Sequence, residues 1–222
     1  MTGPPLRLAH RGDWRRAPEN TIPALLAALE VPACDGVEFD VRASGDGIPV
    51  LSHDETLERV HGRSDRVADL SAAELAAYGV PTLADVLSAV PERAFLDVEL
   101  KDDPGVAGVV AVLEAGRGRE LRNAAVSSFA PATLDAVGRL RPRWHRWLNA
   151  AELSAGNVAT AATLGCRAIA AEWHSIDLAG VARARRSGLE VVAWTVERPA
   201  TFERLSRIGV TAVCVERAAL DG

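Results

Sequence analysis

The chain has 222 residues, 48% of them hydrophobic, which is enough apolar material for a substantial core and excludes a disordered protein. Its formal net charge is -5 and it contains no Lys/Arg run, so it carries no electrostatic footprint for nucleic acid or an anionic membrane, and any anionic ligand must be met by a local cluster. Cys34, Cys166 and Cys214 are far apart with no CxxC pair, the N-terminus lacks the basic-then-apolar pattern of an export signal, and no segment offers 18 uninterrupted apolar residues; a cytoplasmic protein with core thiols and no stable membrane insertion is expected.

Short β-rich runs alternate with amphipathic runs along the whole length, the pattern of parallel strands joined by crossover helices. Strands are predicted at 6–10 (LRLAH), 36–41 (GVEFDV), 94–100 (AFLDVEL), 123–129 (NAAVSSF), 143–149 (RWHRWLN), 166–172 (CRAIAAE), 190–196 (EVVAWTV) and 212–216 (AVCVE). Helices are predicted between them at 21–30, 82–90, 105–116, 132–140, 151–165, 178–188 and 200–209, with Gly116, Gly165, Gly188 and Gly209 closing four of these. Eight such strands predict an α/β fold of the (β/α)8 TIM-barrel type, the doubly wound open sheet being the alternative. The longest interval, 42–93, contains a turn into a further short strand (SGDGIPVLSHD) and a stretch with its own small helix (DRVADLSAAELAAYG). It reads as an insertion of about residues 42–80 over the barrel mouth, between the second and third barrel strands. With no Pro/Ser-rich linker, 1–222 is expected to be one domain.

Strand periodicity sets Glu38 and Asp40 on one face of GVEFDV, against Val37, Phe39 and Val41. In LDVELK the same alternation groups Asp97, Glu99 and Lys101 against Leu96, Val98 and Leu100. Carboxylates that close, in otherwise apolar strands, repel and desolvate one another unless a cation or a proton sits among them. If both faces point into the barrel mouth, Glu38, Asp40 and Glu99 converge, and three carboxylates without a cysteine suit Mg²⁺ or Ca²⁺ better than zinc. The competing account is a buried ion-pair network neutralised by Lys101.

His10 ends the first strand on the face where such barrels carry their chemistry, and Arg11 follows it. His53 lies at another strand-to-loop junction. Two imidazoles suit a reaction in which one group removes a proton and another returns one, although either histidine alone is equally consistent with an ordinary hydrogen-bonded residue. Arg11, by a bidentate fork, and Lys101, as a point charge, could meet the oxygens of an anionic group. His61, His145 and His174 have no partner at motif spacing. In APENT (17–21), Asn20 or Thr21 caps the following helix and Glu19 complements its dipole. Trp194, near the end of the seventh strand, could flank a substrate alcohol; core packing is the ordinary alternative for it and the more frequent one for Trp173. GxGxxG, Walker, HExxH and GxSxG motifs are absent, against nucleotide, zincin and serine-hydrolase chemistry.

Taken in order, LAHRGDWRRAPENT, GVEFDV, PVLSHDETLERVHG, VADLSAAEL, PTLADVL, FLDVELK, SSFAPATLDAV and VVAWTVERPATFERLSRIGV resemble the glycerophosphodiester phosphodiesterase family nearly end to end. The specific part is the succession HRG, PEN, ExD, HD and ELK across one barrel. The resemblance implies hydrolysis of small-molecule glycerophosphodiesters to glycerol 3-phosphate and an alcohol. It implies His10 and His53 as the acid/base pair, Glu38, Asp40 and Glu99 as ligands of one divalent cation, and Arg11 and Lys101 as phosphate contacts. The chain departs from the family pattern at Asp65, where glycine is frequent, at Glu197, where asparagine is common, and at Glu216-Arg217-Ala218, where Asp-Arg-Pro is common. These changes are expected to alter the insertion, the substrate-side wall and the closing loop while leaving the cation site and histidines untouched. Rival readings are a phospholipase D-like enzyme acting on lysolipids through an apolar trough, a lyase or aldolase using Lys101 as a Schiff base, and a non-catalytic barrel binding module. The sequence specifies no oligomeric state.

Overall fold

The computed structural model describes residues 3–101 and 105–222. Its strands are β1 (Leu6–His10), β2 (Gly36–Ala43), β3 (Pro49–Leu51), β4 (Phe95–Leu100), β5 (Ala124–Ser128), β6 (Arg146–Ala150), β7 (Ala168–Glu172), β8 (Glu190–Val196) and β9 (Ala212–Val215). Their order is β1-β9-β8-β7-β6-β5-β4-β2-β3, and β1 also pairs with β2. That extra pairing closes eight parallel strands into a barrel and leaves β3 outside, antiparallel to β2 from Val41↔Leu51 to Ala43↔Pro49. The predicted TIM barrel is therefore observed, and the open sheet is excluded by the closing pair.

Side-chain alternation sorts each strand into two environments. The barrel interior is filled by Leu8, Ala125, Trp147, Ala168, Ala170, Val192, Ala212 and Cys214, all buried, with Phe95 stacked on Trp147 at 5.6 Å between ring centroids. The outer faces, including Val37, Phe39, Val41, Leu96, Val98 and Ile169, pack against the helices in a second, larger core. Those helices are α1 (Ile22–Leu29), α4 (Leu83–Ala89), α5 (Val106–Arg117), α6 (Pro131–Leu140), α7 (Ala155–Thr163), α8 (Leu178–Arg186), α9 (Pro199–Ile208) and α10 (Ala218–Asp221).

Three local expectations shift. Gly116 lies inside α5 rather than at its end, where a Cβ would come within 2.7 Å of the Leu87 side chain; the helix closes at Gly118, whose φ is 75°. The predicted helix at 151–165 begins only at Ala155, because Ser154 accepts a hydrogen bond from Asn157 N and fixes the first turn there. The predicted strand at 143–149 starts at Arg146: Trp144 instead joins the outer core and donates its indole N–H to Arg119 O.

Between β2 and β4 the chain builds β3, α2 (Glu58–His61), a 3₁₀ turn (Val67–Asp69) and α3 (Ala72–Ala76) before α4. Val50, Leu57, Val67, Leu75 and Val80 form a small core of their own beneath this excursion. Two of these helices start at a side-chain cap. Ser71 and Glu74 form a reciprocal capping box for α3, and Thr82 and Asp85 do the same for α4. No helix among the described residues is long and apolar enough to cross a membrane.

Candidate active site

Register places the acidic residues side by side. Glu38 lies opposite His10 on β1 and Asp97 on β4, and Asp40 opposite Glu99. Glu38, Asp40 and Glu99 each offer one carboxylate oxygen to a cluster in which all three oxygens lie within 4.8 Å of one another, and all three residues are buried. The sequence-derived ligand set is thus brought together.

The electrostatics decide whether these residues fit a cation. Four carboxyls, Glu38, Asp40, Asp97 and Glu99, are buried at this end of the barrel, and the basic groups directly against them are Arg11 and Lys101. Burial alone would raise the Asp40 carboxyl, but Lys101, with Nζ 2.7 Å from Oδ1, and Arg11, with Nε 3.2 Å from Oδ2, bring it down to about 2. Lys101 also pairs with Glu99, which burial and Asp40 nevertheless keep above the usual carboxylate range. Glu38 is compensated less, by Arg11 alone. Burial and then the charges of Asp40, Glu99 and Asp97 push it well up, and its Oε1 is buried without a hydrogen bond from any described residue. Asp97 is pushed up to about 7, by burial first and then by Glu99 and Asp40. Lys101 therefore neutralises part of the cluster, as the ion-pair account expects, yet an oxygen-preferring cation fits the remainder: it would meet the unpartnered Glu38 oxygen and relieve carboxylates that now repel.

Each predicted histidine has a carboxylate at Nδ1. His10 donates from Nδ1 to Glu216, which leaves Nε2 facing the cluster, 3.8 Å from Glu38 Oε2. His53 donates from Nδ1 to Asp54 Oδ1 at 2.6 Å, and burial, partly offset by Asp40, lowers its pKa. The carboxylate in each case selects the tautomer with Nδ1 protonated and Nε2 free to exchange a proton. The expectation that Glu216-Arg217-Ala218 leaves the histidines untouched is overturned here. Glu216 follows β9, the strand beside β1, so its side chain reaches straight to the His10 ring.

Arg11 is held at φ 58° with its backbone N–H donating to Glu38 Oε2 at 3.1 Å and its side chain shared between Asp40 and Glu19. Thr21 caps α1 as expected. Asn20 does something else: its Nδ2 donates to Asp40 Oδ2 at 2.8 Å and its Oδ1 accepts from Asp40 N at 3.2 Å. Glu19, expected to complement the helix dipole, joins Arg11 to Arg59, and Arg59 Nε closes the chain on Asp54 Oδ2 at 2.6 Å. PEN and HD are therefore one network, with residues 40 positions apart in sequence in direct contact. Asn20, Asp54, Arg59 and Glu216 were missed as supporting residues; the signal available was the motif spacing around them, and it does not say which acid meets which base.

Trp194 donates its indole N–H to Ala170 O at 3.1 Å and meets the exposed Phe129 edge to face. With Asn149 and Thr195 they form the wall of a pocket that contains His10, Glu38, Asp97 and Glu99. Trp173 and His174 stack on each other in a neighbouring cleft, His61 lies in the pocket behind His53, and His145 is exposed outside these pockets.

The architecture sets this acidic cluster at the C-terminal ends of the strands, the face on which TIM-barrel enzymes carry their active sites. The family model of the glycerophosphoryl diester phosphodiesterase family matches residues 10–220. The glycerophosphodiester phosphodiesterase of Caldanaerobacter subterraneus subsp. tengcongensis is 28% identical over 95% of this chain and 93% of its own length. Among solved structures, a phosphodiesterase of Oleispira antarctica in complex with the product sn-glycerol 3-phosphate superposes with a TM-score of 0.82 at 27% identity, covering 95% of this chain and 92% of that one. The glycerophosphodiester phosphodiesterase of Thermotoga maritima gives 0.82 at 25% identity over 100% and 97%. The chain belongs to the glycerophosphoryl diester phosphodiesterase family and is a phosphoric diester hydrolase.

Proposed function

We propose that this protein hydrolyses glycerophosphodiesters to glycerol 3-phosphate and an alcohol, with one divalent cation, Mg²⁺ or Ca²⁺, held by Glu38, Asp40 and Glu99. The observation that carries the reading is the meeting of three buried carboxylate oxygens, within 4.8 Å of one another, with an imidazole whose Nε2 lies 3.8 Å from one of those carboxylates. A cation bound there supplies Lewis acidity to a phosphate oxygen. Arg11 and Lys101, already at the cluster, offset the negative charge that grows at phosphorus. One of His10 and His53 takes the proton of the nucleophile, water or the substrate's own glycerol 2-hydroxyl, and the other protonates the departing alkoxide. Trp194 flanks the glycerol side. The product seen in the Oleispira antarctica relative supports a small-molecule substrate of this class.

A coupled assay for released glycerol 3-phosphate, run with Mg²⁺, with Ca²⁺ and with chelator, tests substrate class and cation together. Activity with metal and its loss with chelator are expected. His10→Ala and His53→Ala should each lower turnover by about 10²- to 10⁴-fold with the fold intact by circular dichroism; near-normal turnover in both defeats the acid/base assignment.

A further inference from the structure

We infer that the alcohol leaving the phosphodiester is selected by a cleft beside β8, and that this cleft takes an uncharged polyhydroxyl head group in preference to a cationic one. The inference rests on the hydrolytic reading above and adds to it the class of alcohol released.

The cleft encloses about 350 Å³ and is lined by Trp173, His174, Thr195, Glu197, Arg198 and Thr201. Thr195 also lines the pocket that contains His10, Glu38 and Glu99, so the two spaces meet at one residue. A diester with its phosphate at the carboxylate cluster and its glycerol along the Trp194 wall can direct its second alcohol past Thr195 into this cleft.

A quaternary or primary ammonium is recognised by an open aromatic face or by a carboxylate without its own counter-ion. Neither is offered. The Trp173 ring is stacked by His174, 3.4 Å between centroids, and has the Arg204 guanidinium 5.7 Å over it. Glu197 faces Arg217 Nε at 3.4 Å. Glu172, beside the cleft, accepts from both His174 N, at 2.9 Å, and His174 Nδ1, at 2.6 Å. Arg198, by contrast, is exposed and its side chain makes no ion pair or hydrogen bond with any described residue. Arg198, Arg204 and Arg217 thus stand against Glu172 and Glu197, an excess of one positive charge that opposes a cationic head group. The same lining is rich in groups that bind hydroxyls: Arg198 donates, the Glu197 carboxylate accepts, and Thr195 and Thr201 do either. Glu197 and Arg217, which pair at the edge of the cleft, both lie where the sequence leaves the family pattern.

The test uses the full chain and the glycerol 3-phosphate assay on glycerophosphoinositol, glycerophosphoglycerol, glycerophosphocholine and glycerophosphoethanolamine. With a charge-assisted hydrogen bond from Arg198 available only to the polyols, kcat/KM on the two polyol esters should exceed that on the two ammonium esters by at least about tenfold. Arg198→Ala should raise KM about tenfold for the polyol esters, leave kcat nearly unchanged, and leave the choline ester as it was or improve it. Equal or better turnover of the ammonium esters by the unaltered chain overturns the inference while the hydrolytic reading stands, as does an Arg198→Ala loss that is the same for every head group. Release of glycerol 3-phosphate from none of the four defeats the hydrolytic reading and the inference with it.

Discussion

Replacing Asp97 by asparagine removes a carboxyl that the fold keeps protonated until the pH nears about 7, while preserving shape and the capacity to accept from the Cys214 thiol, whose Sγ is 3.9 Å from Oδ2. The carboxyl moves from an ordinary 3.8 to about 7 on folding. At about 1.4 kcal/mol per pH unit, that displacement corresponds to about 4 kcal/mol. The direction follows from proton counts: between these two values the folded chain retains a proton that the unfolded chain has released, so this carboxyl's contribution to stability is fully present below pH 4 and is lost as pH rises towards 7. Asparagine cannot titrate. Urea denaturation of the parent and Asp97→Asn from pH 4 to pH 8, with chelator present so that no cation screens the neighbouring carboxylates, should show the variant gaining on the parent by about 4 kcal/mol across the range. Parallel profiles, or a variant that loses ground as pH rises, would refute the claim that burial and the charges of Glu99 and Asp40 oppose ionisation of Asp97.

Glu216→Gln should lower kcat about tenfold with KM little changed, because an amide can still touch His10 Nδ1 but no longer stabilises the imidazolium; Glu216→Asp should recover part of the loss. A KM effect alone, seen in steady-state kinetics, would show that Glu216 acts on substrate binding instead. Gly36→Ala puts a Cβ 2.1 Å from the Phe95 carbonyl oxygen, in a strand pairing that cannot yield. A loss of about 3 kcal/mol or more in chemical denaturation, or insolubility, is expected, and a stability within about 0.5 kcal/mol of the parent would contradict it.

Much of the barrel is legible in the sequence because its two periodicities differ. Strands such as FLDVEL alternate every second residue and helices such as VAGVVAVLEAGR do not, so the eight strands and the acidic inner face of β2 and β4 can be read before any coordinates are seen. The metal-ligand candidates were legible for the same reason: three carboxylates at strand spacing in apolar surroundings demand an explanation. The boundaries at Ala155 and Arg146 were less so, since each is decided by one side chain, Ser154 capping a helix and Trp144 turning into the outer core. Pairings across long sequence separations were not legible at all. That Glu216 meets His10, 206 residues away, follows from β9 lying beside β1, a fact of barrel closure that local pattern cannot convey. Asn20 illustrates the other limit: helix-capping statistics favour it at a helix start, and only the tertiary contact with Asp40 overrides them.

The excursion between β2 and β4 rests on its own five-residue core and reaches back to the barrel rim through Arg59 and Glu19. His53 consequently sits where this excursion leaves β3, whereas His10, Glu38, Asp40 and Glu99 lie on the barrel strands themselves. Through Arg59 and Glu19 the same excursion also holds Arg11 beside Asp40, so a change in it reaches the acidic cluster as well as the His53 ring.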